Sequence, residues 1–160
     1  MNAKSLLIGI VVGIALAGAT GWLLTPGLML REYPSPLGVE ETVERIKQNA
    51  LAEGWVVSSV MPLNDSIKQH GGGELPPVRL VNLCQAQHAF KILSADDNKV
   101  VSVMMPCTIG VYQKSDGKTY VGTMNAGLLG RAFGGVVARV MGGDVAEAQQ
   151  RFISFVHPSR

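Results

Sequence analysis

The chain predicts an α+β domain, a largely antiparallel sheet with helices packed on one face in the order β-α-β(n)-α, preceded by one N-terminal transmembrane helix. Three observations point there. Apolar residues between 39 and 51 repeat at helical spacing, whereas those between 78 and 124 fall in short β-branched runs bounded by turn residues. An amphipathic helical pattern stands on each side of that strand-rich middle, which lets helices cover one face of a sheet. Finally, Leu6 to Leu24 carries no charge. At 1.5 Å per residue it reaches about 28 Å, close to the roughly 30 Å hydrocarbon core of a bilayer.

The 160 residues divide into 1–29, an anchor, and 30–157, one domain of ordinary size. Hydrophobic residues make up 47%, enough for a core that needs no staples. Charged residues make up only 16%, below the roughly 25% of a soluble domain, so part of the chain is expected to lie outside water. The net charge of +2 is scattered, which argues against a nucleic-acid partner. Two cysteines permit one disulfide or two thiols, and no framework.

Lys4 precedes the apolar run and should stay cytoplasmic under the positive-inside bias. The expected location is therefore the inner membrane, single pass, with the C-terminal domain periplasmic. Trp22 sits where an interfacial aromatic belongs, and Thr25-Pro26-Gly27 ends the helix. The rival reading is a cleaved signal peptide that secretes the domain to the periplasm, since Ala15-Leu16-Ala17 and Ala17-Gly18-Ala19 have the small-x-small form of a cleavage site. Gly9, Gly13, Ala17 and Gly21 recur every four residues, a spacing that lets two membrane helices approach closely.

Leu30 to Tyr33 reads as a first strand ended by Pro34. Gly38 to Gly54 is the clearest helix: Val39, Val43, Ile46, Ala50 and Leu51 form one stripe, acids crowd the first turn, and Gly54 stops it. Trp55 to Met61 is a strand closed by Pro62. Asn64 is expected to cap a short helix through Lys68, and Gly71-Gly72-Gly73 is a turn; nothing around those glycines supports a phosphate cradle. Val78 to Cys84 is the next strand and Gln85 to Leu93 a short helix. The apolar run Val100 to Val111 is expected to be strand, bent at Pro106. Ser115 to Lys118 turns a hairpin into the strand Thr119 to Met124. Asn125 caps a helix over Ala126–Met141, whose four glycines (127, 130, 134 and 135) suggest close approach by the sheet, a second protomer or lipid. Gly142-Gly143 interrupts it, and Asp144 caps a last helix to Phe152 or Phe155.

The segment Gly38 to Ile46, the Glu74-Leu75-Pro76-Pro77 turn before a strand, and Met105-Pro106 ahead of Val111-Tyr112 together resemble the domain of unknown function numbered 302. The resemblance spans about Leu30 to Phe155. It implies a compact α+β domain and a homodimer, and it implies no established activity. Where many members carry a Gly-Asn-Pro turn after the Leu-Pro-Pro strand, this chain has Cys84-Gln85-Ala86, and Cys107 follows Met105-Pro106 directly. It looks like a thiol-bearing branch.

Chemistry is therefore sought around Cys84 and Cys107, each expected to end a strand. On neighbouring strands they could reach the roughly 4.4–6.8 Å Cα separation of a disulfide, worth about 3 kcal/mol for a loop of this length. A soft metal site is the second reading. Cys84 and His88 are four apart, Met104, Met105 and Met124 could face Cys107, and thiolate, imidazole and thioether suit copper or an axial haem ligand. The metal set would be Cys84, His88 and Met105. The third reading is a Cys84–His88 nucleophile oriented by Asn82 or Asn125. Two cysteines of no chemical consequence remain the plain alternative. The expected function is a membrane-tethered periplasmic domain binding a small ligand, a metal or a redox partner beside Cys84, His88 and Cys107. The alternative is an accessory subunit of a membrane assembly, engaging through residues 9–21 and the glycine-rich helix. A thiol-dependent enzyme comes third.

Overall fold

Five segments pair into one antiparallel sheet: β1 (Leu30–Pro34), β2 (Val56–Pro62), β3 (Val78–Cys84), β4 (Cys107–Gln113) and β5 (Thr119–Met124), in the spatial order β1-β5-β4-β3-β2. The structure, a computed structural model, describes residues 12–14, 18 and 27–157. The expected span Leu6–Leu24 thus falls largely outside the described residues, as do Gly9, Ala17 and Gly21; Val12, Gly13, Ile14 and Gly18 are helical. Among the described residues no helix is long and apolar enough to cross a membrane.

Alternation decides which side of the sheet is covered. Val81 and Leu83 on β3, Ile109 and Val111 on β4, and Val121 on β5 are buried, while Leu80, Asn82, Gly110, Tyr112 and Gly122 between them are half-exposed. Among the described residues the helices that bury side chains share one core with that first side, so the domain is an α+β structure as expected. The first is α1 (Val39–Ala52), which buries Thr42, Val43, Ile46 and Ala50 at helical spacing. Its end is built by Gly54 at φ 73°: the N–H of Gly54 donates to Leu51 O (3.0 Å) and that of Trp55 to Ala50 O (3.0 Å), the paired bonds of a Schellman stop. The helices α2 (Leu63–Gln69) and α3 (Ala86–Leu93) follow β2 and β3.

Five expectations are corrected. Asn64 does not cap α2, which begins at Leu63; its Oδ1 instead accepts from the Val78 N–H (3.2 Å) and from Arg79 Nη1 (2.6 Å), fastening α2 to β3. Asp96–Met104 is a 3-10 helix, not strand. Only Val101 of its valines is buried, and Val103 is 83% exposed, so the run has no alternating face to lay against a sheet. Cys107 accordingly opens β4 instead of closing a strand. The expected single helix over 126–141 breaks at Gly134 (φ 71°, ψ −171°) into α4 (Ala126–Phe133) and α5 (Gly135–Arg139). Finally, Gly142-Gly143 does not interrupt: α5 passes through a π-helical turn, Val140–Val145, into α6 (Ala146–Phe152), and Asp144 lies inside that turn.

The glycines of α4 find their close neighbour within the chain. A Cβ on Gly130 would stand 2.5 Å from Gly142 N and 2.9 Å from Met141 Cβ, so the backbones of α4 and the π turn touch there. Asn125 caps α4 as expected, its side chain accepting from the Leu128 N–H (3.3 Å).

Candidate functional site

Register places the two cysteines side by side. Leu83 on β3 stands opposite Cys107 on β4, and Cys84, one residue on, is where β3 gives way to α3. The Gln85 side chain starts that helix by accepting from the Gln87 N–H (2.8 Å), and the first turn carries His88. From the other side the 3-10 helix delivers Met104 and Met105, followed by a cis Met105–Pro106 peptide, directly before Cys107. These segments close around a pocket of about 30 Å³ lined by Cys84, Cys107, His88, Met104 and Met105, over a floor of Trp55, Ile92 and Met141.

Size and lining limit what the pocket can do. Room for a water molecule needs roughly 10–15 Å³ on this measure, and drug-sized ligands need roughly 300–1,000 Å³. The space suits one ion or a water or two, and a haem macrocycle does not fit it. Both cysteines are free thiols, half-buried. Burial first, and then the neighbouring Cys84, push the Cys107 thiol up to about 11 from its ordinary value. It is protonated at neutral pH and a poor resting nucleophile.

His88 is held by apolar contact more than by hydrogen bonds. Its ring lies 5.8 Å from that of Trp55, and Trp55 packs edge-on against Phe152 at 5.2 Å. Its Nδ1 is buried without a hydrogen-bond partner, and the nearest carboxylate, Asp144 Oδ2, is 3.8 Å away. That separation is too long for a hydrogen bond. A buried ring nitrogen left unpaired beside two thiols is a group with spare donor or acceptor capacity.

The structure therefore brings Cys84, Cys107, His88, Met104 and Met105 together. It does not bring Met124, which lines a separate groove on the open face of the sheet with Met29, Leu30 and Tyr112. Nor do the asparagines considered as orienting groups face His88. Asn82 donates to Ser59 Oγ (2.8 Å) and accepts from Thr108 Oγ1 (2.7 Å) across the open face, and Asn125 is occupied at the start of α4. Trp55 and Asp144 are neighbours of the site that sequence reasoning missed. In the sequence Trp55 marks only the start of a strand and Asp144 only a helix cap, and no local spacing links either to Cys84. Among the described residues no three His, Cys, Asp or Glu side chains converge as a metal-binding group. A metal held here would have to draw on the methionine sulfurs.

The open face carries a second polar cluster. Tyr112 lies across the paired Gly110 and Gly122, where a Cβ on Gly122 would meet its ring at 3.2 Å, and its hydroxyl donates to Glu32. Lys114 Nζ holds the other Glu32 oxygen at 2.5 Å, which with the Tyr112 bond lowers the Glu32 carboxyl. Burial and that same bond raise the Tyr112 phenol.

Strand order and helix placement define the class, an α+β domain on five antiparallel strands. Residues 31–156 match the family described as Domain of unknown function DUF302, and the chain belongs to that family. It is similar to the crystal structure of the uncharacterized conserved protein DUF302 from Bacillus stearothermophilus, with a TM-score of 0.70 and 20% sequence identity over 81% of this chain and 99% of that one. At that identity the likeness speaks for a shared fold. No curated protein matches the chain.

Proposed function

We propose that the pocket between β3, β4 and α3 is a soft-metal site, with Cu(I) as the fitting ion, in a domain tethered to the periplasmic side of the inner membrane by Leu6–Leu24. The observation that carries this reading is the lining: two thiols, two thioethers and an imidazole around space for a single ion. Thiolate and thioether sulfurs select Cu(I) over harder cations, and the lining holds no carboxylate. Cys84 and Cys107 would supply the charge and Met104 and Met105 the neutral sulfurs, with His88 beside them in the lining.

A protonated Cys107 implies proton release on loading, so apparent affinity climbs by about tenfold per pH unit for each proton displaced. The test is anaerobic competition of the reduced protein with a chromogenic Cu(I) chelator between pH 6 and 8. One ion per chain is expected, bound more tightly at the higher pH. Cys84→Ser and Cys107→Ser should each surrender the ion to the chelator. Equal retention by wild type and both variants would refute the assignment.

A dithiol–disulfide pair is the second reading, favoured by the register that sets Cys107 opposite the residue before Cys84. Forming it would release two protons and pass two electrons to an external disulfide or quinone oxidant. Counting thiols in protein isolated without reductant separates the states: two free thiols speak for the metal reading, none for the disulfide. The homodimer implied by the family resemblance belongs to the same proposal, and light scattering in detergent tests it.

A further inference from the structure

Apolar side chains left in water gather at one end of the domain. Leu28 and Leu30 are 54% and 64% exposed, and Leu128 and Phe133 on α4 are 44% and 51% exposed. Asn125 ties the two groups together. Its backbone N–H donates to Met29 O (2.7 Å) and its side-chain amide to Leu28 O (2.7 Å), while its Oδ1 caps α4. Leu129 shares a groove with Met29 and Leu30. The residues leading into β1 are thus fixed against α4 as one apolar patch.

Register shows which other elements share that end. Leu30 pairs with Met124, Leu83 with Cys107, and Cys84 with Val56, so α3 and the 3-10 helix attach there too, adding exposed Phe90 and Val103. The opposite end carries the hairpin Lys114 to Lys118, with Leu75 and Met61 as its isolated exposed apolar residues. Arg31 and Arg131 line a single cleft beside the start of α4. Among the described residues neither has a carboxylate within 4 Å, whereas Arg151 in the same cleft is engaged by Glu53 and Glu147.

The course of the chain says what covers this end. Leu24 closes the expected span, and Leu28 follows four residues later. Four residues stretch to at most about 14 Å, and the headgroup layer is roughly 5–8 Å deep on each side. The patch cannot stand far from the bilayer. We infer that the end of the domain formed by Leu28–Leu30 and by Leu128 and Phe133 on α4 rests on the membrane surface, with Arg31 and Arg131 directed to anionic phospholipid headgroups. Apolar residues seated at the acyl boundary beside arginines at headgroup level are the chemistry of a helix lying on a bilayer. The same placement turns the thiol pocket, at that end of the sheet, toward the membrane. The inference rests on the proposed anchoring by Leu6–Leu24.

The full chain, carrying a photoreactive benzoylphenylalanine in place of Phe133 or, as control, of Leu75, is reconstituted in vesicles of phosphatidylethanolamine and phosphatidylglycerol. Flotation after an alkaline wash reads the anchor, and lipid adducts after irradiation read the docking. The expected result is flotation, lipid adducts at 133 and none at 75, with the adduct at 133 reduced by combined Arg31→Gln and Arg131→Gln. Flotation without an adduct at 133, or with a protein–protein adduct in its place, overturns the docking and leaves the anchor standing. A chain that does not float overturns both.

Discussion

In the proposed site, Cys107 holds a proton it is reluctant to lose. In an unfolded chain a thiol titrates near 8.5. In the folded protein burial and the nearby Cys84 hold it at about 11. The folded state therefore binds the proton more tightly. The associated stability is fully present below about pH 8.5, is lost as pH rises toward about 11, and amounts to roughly 3 kcal/mol. Urea midpoints should fall between pH 8.5 and 11 more steeply for the wild type than for Cys107→Ser, which has no thiol to ionise. Parallel slopes would mean that the thiol is not perturbed by folding. At this scale the sequence was informative about donors and silent about geometry. Cys84, His88 and Cys107 could be selected because their residue types are chemically distinctive. Asp144 and Trp55 could not, because their proximity to His88 arises from packing of the π turn and of the residue before β2 against α3 and not from any spacing along the chain.

Among the elements, α4 and the helix behind it explain why glycine is tolerated where alanine would favour the helix. A Cβ on Gly130 would collide with the backbone of Met141 and Gly142, atoms that cannot swing aside. Gly130→Ala should therefore destabilise by about 1–3 kcal/mol, in spite of alanine's better helix propensity. Gly127, where the nearest atoms lie at 3.6 Å or beyond, is the internal control. There alanine should be neutral or stabilise by up to about 1 kcal/mol. Thermal melts of the two variants measure both; equal shifts in the same direction would show that the α4–π-turn contact is looser than described. The sheet was legible because four of its strands alternate or run β-branched between turn residues, and β3 and β5 fall where expected. The 3-10 helix was not. Val100-Val101-Ser102-Val103 has strand composition, but composition cannot reveal that only Val101 reaches the core. The break at Gly134 was hidden for the opposite reason, since the apolar stripe continues in helical spacing on both sides of it.

For the whole molecule, the organising fact is that antiparallel register brings Leu30, Met124, Cys107, Cys84 and Val56 to one end of the sheet. The thiol pocket, the apolar patch on α4 and the start of the domain all lie there. Nothing in the order of residues along the chain discloses that coincidence, because the members come from five strands and are joined only when the sheet forms. With the anchoring proposed above, the proposed soft-metal site would face the bilayer. The decisive measurement is X-ray absorption at the copper edge of the reduced, Cu(I)-loaded full-length protein. The pocket predicts a first shell dominated by sulfur in the wild type, with sulfur lost in Cys84→Ser; a shell of nitrogen and oxygen alone, or a spectrum indifferent to that substitution, would contradict it.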